Sequence, residues 1–302
     1  MSDFLTIDYG NSIVKTNKNV SFNSQIVKTD KDNISFSDAI IINDDCYAIG
    51  QGEYENKRVK ADKTYIEQFI LYAIGCSTDE NEVDVIFNLP INQLTSKQDI
   101  ISKFSNKQFV FTINSQKYRK HLVQKSISIC KVGVVAECVA AYYSLSNTVT
   151  PFILMLDIGS KTINFAAYTD IGEMDLKKSG TLDFGIHDFY QDIVNYYRKQ
   201  KRISYSVSDI DKRIRNNKIV IPEELEISFI QRIKNGFEGL GFNDYNDYSI
   251  RCSGGGSIVL ENSLLAEFDD IKVLENPLFS NVRGSEIIGE AIGFSKSPVK
   301  PL

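Results

Sequence analysis

Two short segments that share one pattern constrain the fold of this chain more than any other feature. Residues 4–16 (FLTIDYGNSIVKT) and residues 154–168 (LMLDIGSKTINFAAY) each read as a strand, an Asp-x-Gly interruption and a second strand. Alternating apolar and polar residues after the interruption are typical of a half-buried strand. Asp157 follows Asp8 by 149 positions (157 − 8 = 149), which predicts an internal structural duplication. Chance similarity of two hairpins is the alternative.

The two Asp-Gly turns have the composition of a phosphate-binding site. Glycine lets backbone amides approach a ligand because it has no Cβ, and such amides form a concave site for anions. Lys15 follows the first turn, and the hydroxyl groups of Ser160 and Thr162 lie in the second. The pair is therefore suited to clamp the phosphates of a nucleotide between two domains. Asp8 and Asp157 would hold Mg²⁺ through its waters, since that ion loses water reluctantly.

Length and charge limit the kinds of protein that this chain can be. Its 302 residues are enough for two domains, and 42% hydrophobic with 24% charged residues is typical of a soluble globular protein. The net charge of -5 and the pI near 5.3 provide no positive field for direct nucleic-acid binding. Two lysine- and arginine-rich stretches, 55–63 and 198–218, also contain acidic residues, so they are interpreted as solvated faces, with partner surfaces as the alternative.

The cysteine, histidine and apolar patterns favour a cytoplasmic protein. Five scattered cysteines indicate reduced, buried thiols rather than a disulfide framework. The N-terminus lacks the pattern of a secretory signal, and no apolar run reaches the about 18 residues of a membrane span. Only two histidines are present, His121 and His187, and they lack the spacing of a zinc site.

The remaining periodicity alternates between strands and helices, which predicts an α/β fold. A meander of strands is expected up to residue 50. Further strands are expected over 82–91, over 109–132 and before the glycine run at 254–256. Helices are expected up to Gly75, after an N-cap at Thr95, over 133–146, over 186–200, from Pro222, and over 285–295. Residues 201–221 are interpreted as a polar stretch, and 296–302 as a polar tail.

Two further features carry possible chemistry. Glu137 is the single acid in the predicted apolar helix 133–146 and has the right group to orient an attacking water, although a position at the start of a helix is the structural alternative. The run Gly254, Gly255 and Gly256 would let the backbone lie against a flat base and sugar. A flexible loop is the alternative for that run.

These features occur in an order that resembles the actin, sugar kinase and heat-shock chaperone ATPase superfamily. The order is an Asp-x-Gly turn at residues 8–15, an acid at 137, a second turn at 157–164, glycines at 253–257, and the segment FSNVRGSEIIGEA near the C-terminus. Within that superfamily, AIGQGEYENKRVKADKTYIEQFILYAIG, VIFNLPINQL and NPLFSNVRGSEIIGEAIG resemble the bacterial ParM-like and Alp actins of plasmid partition.

The resemblance implies two actin-like (ribonuclease H-like) α/β domains with a nucleotide cleft between them. Domain I would comprise residues 1–148, completed by a C-terminal helix at about 276–302, and domain II residues 149–275. It further implies an ATPase or GTPase that forms filaments of itself with ATP or GTP and Mg²⁺. Filaments would segregate plasmid DNA through a DNA-binding adaptor protein on a centromere-like plasmid site, without direct nucleic-acid or membrane contact.

The same resemblance assigns residue roles. Asp8 would organise Mg²⁺ and the attacking water, Glu137 would orient that water, and Asp157 would complete the metal site. The other implied nucleotide contacts are Gly10, Asn11, Ser12 and Lys15 in the first turn, Gly159, Ser160, Lys161 and Thr162 in the second, and Gly254, Gly255, Gly256 and Ser257 at the adenosine.

Three positions of the second turn depart from the family pattern. Ser160 and Lys161 stand where a further glycine is usual, and Asn164 stands where aspartate is frequent. Slower hydrolysis and an altered nucleotide preference are the two outcomes that these changes predict. Two alternatives for the whole chain follow: a nucleotide-binding scaffold with weak or no hydrolysis, and a small-molecule kinase of the same fold, for which no substrate base is found.

Overall fold

In the computed structural model, residues 3–31, 38–55, 57–145 and 151–294 are described, except for the side chain of Lys120. The chain divides into unit 1, Met1–Ser146 with Asn281–Leu302, and unit 2, Asn147–Ser280. The predicted boundaries were 148/149 and about 276. The predicted tail 296–302 lies outside the described residues. Across the described ranges, no helix combines the length and apolar character needed to cross a membrane.

Each unit contains one mixed sheet. The strands of unit 1 are β1 (Asp3–Tyr9), β2 (Ile13–Thr16), β3 (Ser21–Asn23), β4 (Gln25–Thr29), β5 (Ala39–Ile42), β6 (Asp45–Ile49), β7 (Glu53–Tyr54), β8 (Glu82–Leu89), β9 (Lys107–Ser115) and β10 (Arg119–Ala136). The strands of unit 2 are β11 (Ile153–Ile158), β12 (Ile163–Tyr168), β13 (Met174–Leu182), β14 (Ser249–Ser253) and β15 (Ile271–Val273).

Helices pack on these sheets. Unit 1 has α1 (Ile66–Ser77), α2 (Lys97–Phe104) and α3 (Val139–Tyr143). Unit 2 has α4 (Ile186–Tyr196), continued by a π-turn at Tyr197–Lys201, and α5 (Val207–Arg215), α6 (Glu223–Gly239), α7 (Gly255–Val259) and α8 (Glu261–Glu267). The last helix, α9 (Ser280–Ala291), belongs to unit 1 except for its first residue, Ser280.

The two sheets repeat one strand order. In the described residues the order in unit 1 is β3-β2-β1-β8-β10-β9-β5-β6-β4-β7, and in unit 2 it is β13-β12-β11-β14-β15. Both orders contain an antiparallel three-strand meander whose first strand pairs in parallel with a later strand, β8 or β14. Asp8 faces Lys15 across the first hairpin, and Asp157 faces Asn164 at the same place in the second. The predicted α/β fold and the predicted structural duplication are both present at the level of strand order.

Burial explains the composition of the central elements. Strand β8 (EVDVIFNL) lies between β1 and β10, is parallel to both, and buries every residue except its first. A strand covered on both faces needs apolar residues on both faces. Helix α1 buries nine of its twelve residues against this sheet. In unit 2, Phe165, Phe189 and Phe237 form the centre of an aromatic core between the sheet and helices α4 and α6.

The structure corrects several predicted element boundaries. The predicted helix 133–146 is wrong, because β10 continues to Ala136 and α3 begins only at Val139. Helix α1 passes Gly75 and ends at Ser77, and α2 follows a 3₁₀ turn with Ser96, not Thr95, at its N-cap position. The last helix begins at Ser280 rather than 285.

Other differences concern elements that the sequence pattern did not indicate. Part of the polar stretch 201–221 is helix α5, which begins with a capping box in which Ser206 and Asp209 bind each other's backbone amides. The glycine run does not form a flexible loop, because α7 begins at Gly255. The predicted meander is also interrupted, since β4 pairs with β6 and β7 instead of β3.

Candidate functional site

Both Asp-Gly turns require glycine for the same geometric reason. A Cβ on Gly10 would lie 2.4 Å from the carbonyl oxygen of Ile13, and one on Gly159 would lie 2.8 Å from that of Thr162. In the second turn this approach is fixed by a hydrogen bond of 3.0 Å from Gly159 N to Thr162 O. The backbone at these turns is therefore tightly folded, and a side chain on either glycine would disrupt it.

Unit 1 contains a buried chain of alternating charges. The Lys15 ammonium lies 2.7 Å from Asp8 Oδ2, and the Lys60 ammonium lies 3.4 Å from Asp8 Oδ1 and 2.5 Å from Glu137 Oε1. Lys60 Nζ also donates to the carbonyl oxygen of Asn88 at 3.1 Å. Two carboxylates and two ammonium groups thus compensate one another, as buried charges require.

The pKa values of the central pair follow from this arrangement. Burial alone would raise the pKa of Asp8, but the positive charges of Lys15 and Lys60 outweigh it, and the pKa lies below its ordinary value. Burial would lower the pKa of Lys60, but the carboxylates of Glu137 and Asp8 outweigh it and raise the pKa. Asp8 and Lys60 are therefore both charged at neutral pH.

A second buried lysine attaches the same segment to the first turn. Lys63 Nζ donates to Asn11 Oδ1 at 2.7 Å and lies 4.6 Å from the centre of the Tyr9 ring. The Gln93 side chain fixes the backbone of this segment, because its Oε1 accepts from Lys60 N at 2.9 Å. Ser24 fixes the turn from its other side by donating from its hydroxyl to Gly10 O and from its amide to Ser12 O.

Glu137 lies at the junction between β10 and α3, not inside a helix. It is buried, and its amide donates to Leu89 O at 2.8 Å, which extends the β10–β8 pairing by one bond. The sequence therefore identified a buried acid correctly but placed it on the wrong kind of element. The sheet fixes the backbone of Glu137 at the strand end, and Lys60 binds its carboxylate.

In unit 2 the second turn is held by the start of α4. The amides of Ile186 and His187 donate to the carbonyl oxygens of Gly159 and Ser160 at 3.0 and 2.9 Å. Thr181 Oγ1 donates to Asn164 Oδ1 at 2.7 Å, which orients the side chain opposite Asp157. Asp157, Thr162 and Asn164 are buried, whereas Ser160 and Lys161 are partly exposed at the tip.

The glycine run packs against the end of β11. Gly254 has φ +82°, and a Cβ on it would lie 2.3 Å from Asp157 Oδ1. A Cβ on Gly256 would lie 2.3 Å from Ile158 Cγ2, whereas one on Gly255 would make only an ordinary contact of 3.4 Å with Leu278. Ser257 Oγ donates to Gly254 O at 2.7 Å. Packing alone therefore requires glycine at 254 and 256, and 255 is the position left for another purpose.

Asp8 would suit a metal ion that is held through its waters rather than by direct protein ligands. In the part of the chain that the structure describes, no cluster of three or more His, Cys, Asp or Glu side chains is placed to hold a metal ion. Both Asp8 oxygens already bind ammonium groups. Such a carboxylate suits a metal that retains its waters and takes its remaining ligands from phosphates.

Sequence reasoning missed four of the residues that build this site. Lys60 and Lys63 were included in a stretch interpreted as a solvated face, yet both are buried. Asn88 and Gln93 were not selected at all. The motif NLP at residues 88–90 is a local signal for Asn88. Lys60 has no such signal, because its partners Asp8 and Glu137 are 52 and 77 positions away along the chain.

Comparisons with known proteins relate the whole chain to actin homologues. No family model and no curated protein matches the sequence. Among solved structures, Ta0583, an archaeal actin homologue, aligns with a TM-score of 0.79 at 15% identity, over 96% of this chain and 99% of that one. A 15-stranded ParM filament from Clostridium botulinum aligns with a TM-score of 0.78 at 18% identity, covering 96% and 100%.

A third solved structure, that of the actin-like protein Alp7A, aligns with a TM-score of 0.72 at 15% identity, over 96% of each chain. Ta0583 has also been solved in complex with ADP. The similarity extends over nearly the full length in each case. The chain has the two-domain, actin-like α/β fold of the ParM and Alp proteins.

Proposed function

We propose that this protein is an actin-like ATPase or GTPase that assembles into filaments when it binds nucleotide. The observation that carries the proposal is the buried charge chain from Lys15 through Asp8 and Lys60 to Glu137, next to a turn that requires glycine. Burying such a network costs desolvation free energy, and networks of this kind are frequent at functional sites.

The residues divide the work of phosphoryl transfer as follows. Lys15 and the backbone of Gly10, Asn11 and Ser12 would bind phosphate oxygens, and Asp8 would hold Mg²⁺ through water. Glu137 accepts a hydrogen bond from the attacking water and orients it. When bound, Mg²⁺ neutralises phosphate charge.

Unit 2 contributes the second set of ligands in this proposal. Asp157 would hold the metal through water, and the four residues of the second turn, Gly159, Ser160, Lys161 and Thr162, would bind phosphate. The adenosine or guanosine contact falls to residues 254–257. Within that run Gly255 is the position to test, since packing already requires glycine at its two neighbours.

Assembly and partners belong to the same proposal. The structural neighbours include ParM and Alp12 filaments. A head-to-tail contact between identical subunits does not close and therefore produces a filament. With a net charge of -5, the protein would move plasmid DNA in the cytoplasm through a DNA-binding adaptor on a centromere-like site, not by direct contact.

Phosphate release and nucleotide binding, measured on the same variants, test the enzymatic part. Glu137→Ala should abolish phosphate release but retain nucleotide binding, whereas Glu82→Ala, at an exposed position of the same sheet, should leave both unchanged. Wild-type protein that binds neither ATP nor GTP would refute the proposal. Negative-stain microscopy with a nonhydrolysable nucleotide tests assembly, and a chain that stays monomeric at high concentration with each nucleotide would refute the filament.

One observation favours a scaffold with weak hydrolysis as a second candidate. Asn164, which faces Asp157, accepts from Thr181 and brings no charge to that position. Nucleotide binding and assembly without phosphate release from the wild type would support this candidate over the ATPase.

A further inference from the structure

The backbone next to Glu137 adopts a rare and strained conformation. Cys138 has φ +66° and ψ −47°, and Val139 N donates to Glu137 O at 2.8 Å. A bond between residues two apart, with positive φ at the central residue, defines the uncommon, strained form of the γ-turn. A non-glycine residue keeps this conformation only where its surroundings enforce it. The turn lies immediately after the candidate catalytic acid.

Three hydrogen bonds from different elements hold this turn. Glu137 N donates to Leu89 O on β8, and Tyr142 N donates to Cys138 O in the first turn of α3, both at 2.8 Å. These two bonds are the regular continuation of the strand and the regular start of the helix. The third is different, because Cys138 N donates to the side-chain oxygen of Asn281, Oδ1, at 3.3 Å, and Asn281 is 143 positions away in α9.

Helix α9 is fixed so that Asn281 reaches the turn. Gly284 lies so close to α3 that a Cβ on it would be 1.6 Å from Ala140 O. One residue after Asn281, Val282 O accepts from Thr6 Oγ1 on β1 at 2.8 Å. Asn281 itself is buried. The segment NVRG in the first turn of α9 therefore packs against β1 and α3, and the side-chain oxygen of its asparagine accepts a hydrogen bond from Cys138.

We propose that Asn281 is a positioning residue for Glu137, which acts by holding the γ-turn at Cys138. The proposal rests on the proposed function, since it assigns Glu137 the task of orienting water. Without the Asn281 oxygen, the amide of Cys138 loses its buried acceptor, and the turn relaxes toward negative φ. That rotation moves the peptide next to Glu137, so its carboxylate leaves the direction set by the end of β10. Binding of nucleotide does not depend on this direction.

Kinetics of Asn281→Ala, alone and combined with two substitutions at Cys138, test the mechanism. Asn281→Ala should lower kcat about tenfold, a part of the usual contribution of a positioned acid or base, and leave KM and nucleotide affinity within about twofold. Cys138→Gly should recover most of the lost kcat, because glycine adopts positive φ without strain. Cys138→Ala is the matched control, since it removes the same thiol but keeps a Cβ, and it should recover nothing.

Thermal unfolding of Cys138→Ala and Cys138→Gly, each with and without Asn281→Ala, provides a readout that does not need activity. Asn281→Ala should lower the melting temperature more in the Cys138→Ala background than in the Cys138→Gly background, because only the former retains strain for Asn281 to oppose. Equal losses in both backgrounds would overturn the proposed hold on the turn. Wild-type kcat in folded Asn281→Ala, or equal rescue by Ala and Gly, would overturn the positioning role. If the wild type does not hydrolyse nucleotide, the proposed function fails and the positioning role fails with it, while the melting cycle still decides the hold on the turn.

Discussion

A single buried lysine, Lys60, contacts both Asp8 and Glu137, and its removal takes away the counter-charge that these two acids share. We expect Lys60→Met to cost about 3–5 kcal/mol of unfolding free energy, the range for breaking a buried ion pair from one side. Urea denaturation at neutral pH measures it. Hydrolysis should be lost as well, because Glu137 loses the contact that directs its carboxylate.

Lys57 provides the matched control for this substitution. Its side chain is exposed, and within the described residues its ammonium donates to Asp62 O and Thr64 Oγ1, so Lys57→Met should change stability by less than about 0.5 kcal/mol. Adding Glu137→Gln to Lys60→Met removes the acid that has lost its lysine, while Asp8 keeps Lys15, and it should restore part of the loss. Equal stability of Lys60→Met and Lys57→Met would contradict the assignment of a buried ion pair.

His187 gives the second prediction at this scale, a pH dependence. Burial, and then the positive charge of Lys161, lower its pKa below the ordinary 6.5, while Asp211 and Asp188 oppose them more weakly. The folded state therefore binds the proton less well than the unfolded state, so stability decreases as the pH falls below about 6.5 toward the lowered pKa.

The test of this dependence compares the two histidines of the chain. His187→Gln should flatten the decrease in unfolding free energy between pH 7 and pH 5, whereas His121→Gln, at an exposed position, should leave the wild-type decrease in place. A wild-type curve that is as flat as that of His187→Gln over this interval would contradict the lowered pKa.

How far individual residues could be predicted depended on how local their signal was. Asp8 and Asp157 were recognisable because each stands two positions before a glycine in its own hairpin. Lys60 was not, because the sequence ENKRVKADK does not distinguish a lysine that is solvated from one that is buried in an ion pair. Its role arises only when β1, β8 and the end of β10 bring Asp8, Asn88 and Glu137 to one place.

At the scale of elements, the two Asp-Gly hairpins make the most direct prediction. Gly10→Ala and Gly159→Ala place a methyl group against a backbone carbonyl that cannot move away, so each should cost about 1–3 kcal/mol of stability. If the turns bind phosphate, nucleotide affinity should also fall about tenfold, the factor that corresponds to a lost hydrogen bond of about 1.4 kcal/mol. Urea denaturation and nucleotide titration measure the two effects separately.

Gly239→Ala serves as the control for the hairpin variants. This residue ends helix α6. Apart from its chain neighbours and the nearby backbone of its own helix, no atom of the described residues lies within 4 Å of the position that a Cβ would take there. Alanine also favours a helix more than glycine does. The stability of this variant should be unchanged or slightly higher, with unchanged nucleotide affinity. Hairpin variants that behave like Gly239→Ala would contradict the close approach of each glycine to its carbonyl.

Elements with one strong period were predictable, whereas junctions were not. The alternation in residues 4–16 and 154–168 and the short, mostly apolar β8 led to correct strands. The segment GVVAECVAAYY was misread as one helix, because its apolar residues satisfy either period and the change from β10 to α3 is made by the backbone of Cys138. The start of α9 at Ser280 was also missed, since it depends on the packing of Gly284 against α3.

At the scale of the whole molecule, the two units share a strand order, and the Asp-Gly hairpin occurs at the same place in each. Strands β1 and β11 occupy the same place in their sheets, and both keep an aspartate opposite a polar residue, Lys15 or Asn164. The additional strands of the larger sheet, β4 to β7 and β9, are specific to unit 1 in the described ranges. The residue opposite the aspartate is a lysine in the first hairpin and an uncharged asparagine in the second, so the two hairpins differ in charge at the same register position.

The last prediction concerns the coupling of hydrolysis to assembly. The proposed function implies a cycle in which nucleotide binding favours head-to-tail contacts between subunits and hydrolysis weakens them. Glu137→Gln keeps the size of the side chain but removes the charge that orients water, so we expect phosphate release to slow by about 10²–10⁴. Filaments of this variant should then persist after free nucleotide is removed, while wild-type filaments disassemble. Sedimentation and phosphate release followed in one sample measure both quantities, and thermal unfolding checks that the variant is folded. Equal disassembly rates, with phosphate released by the wild type alone, would separate hydrolysis from disassembly and contradict the cycle.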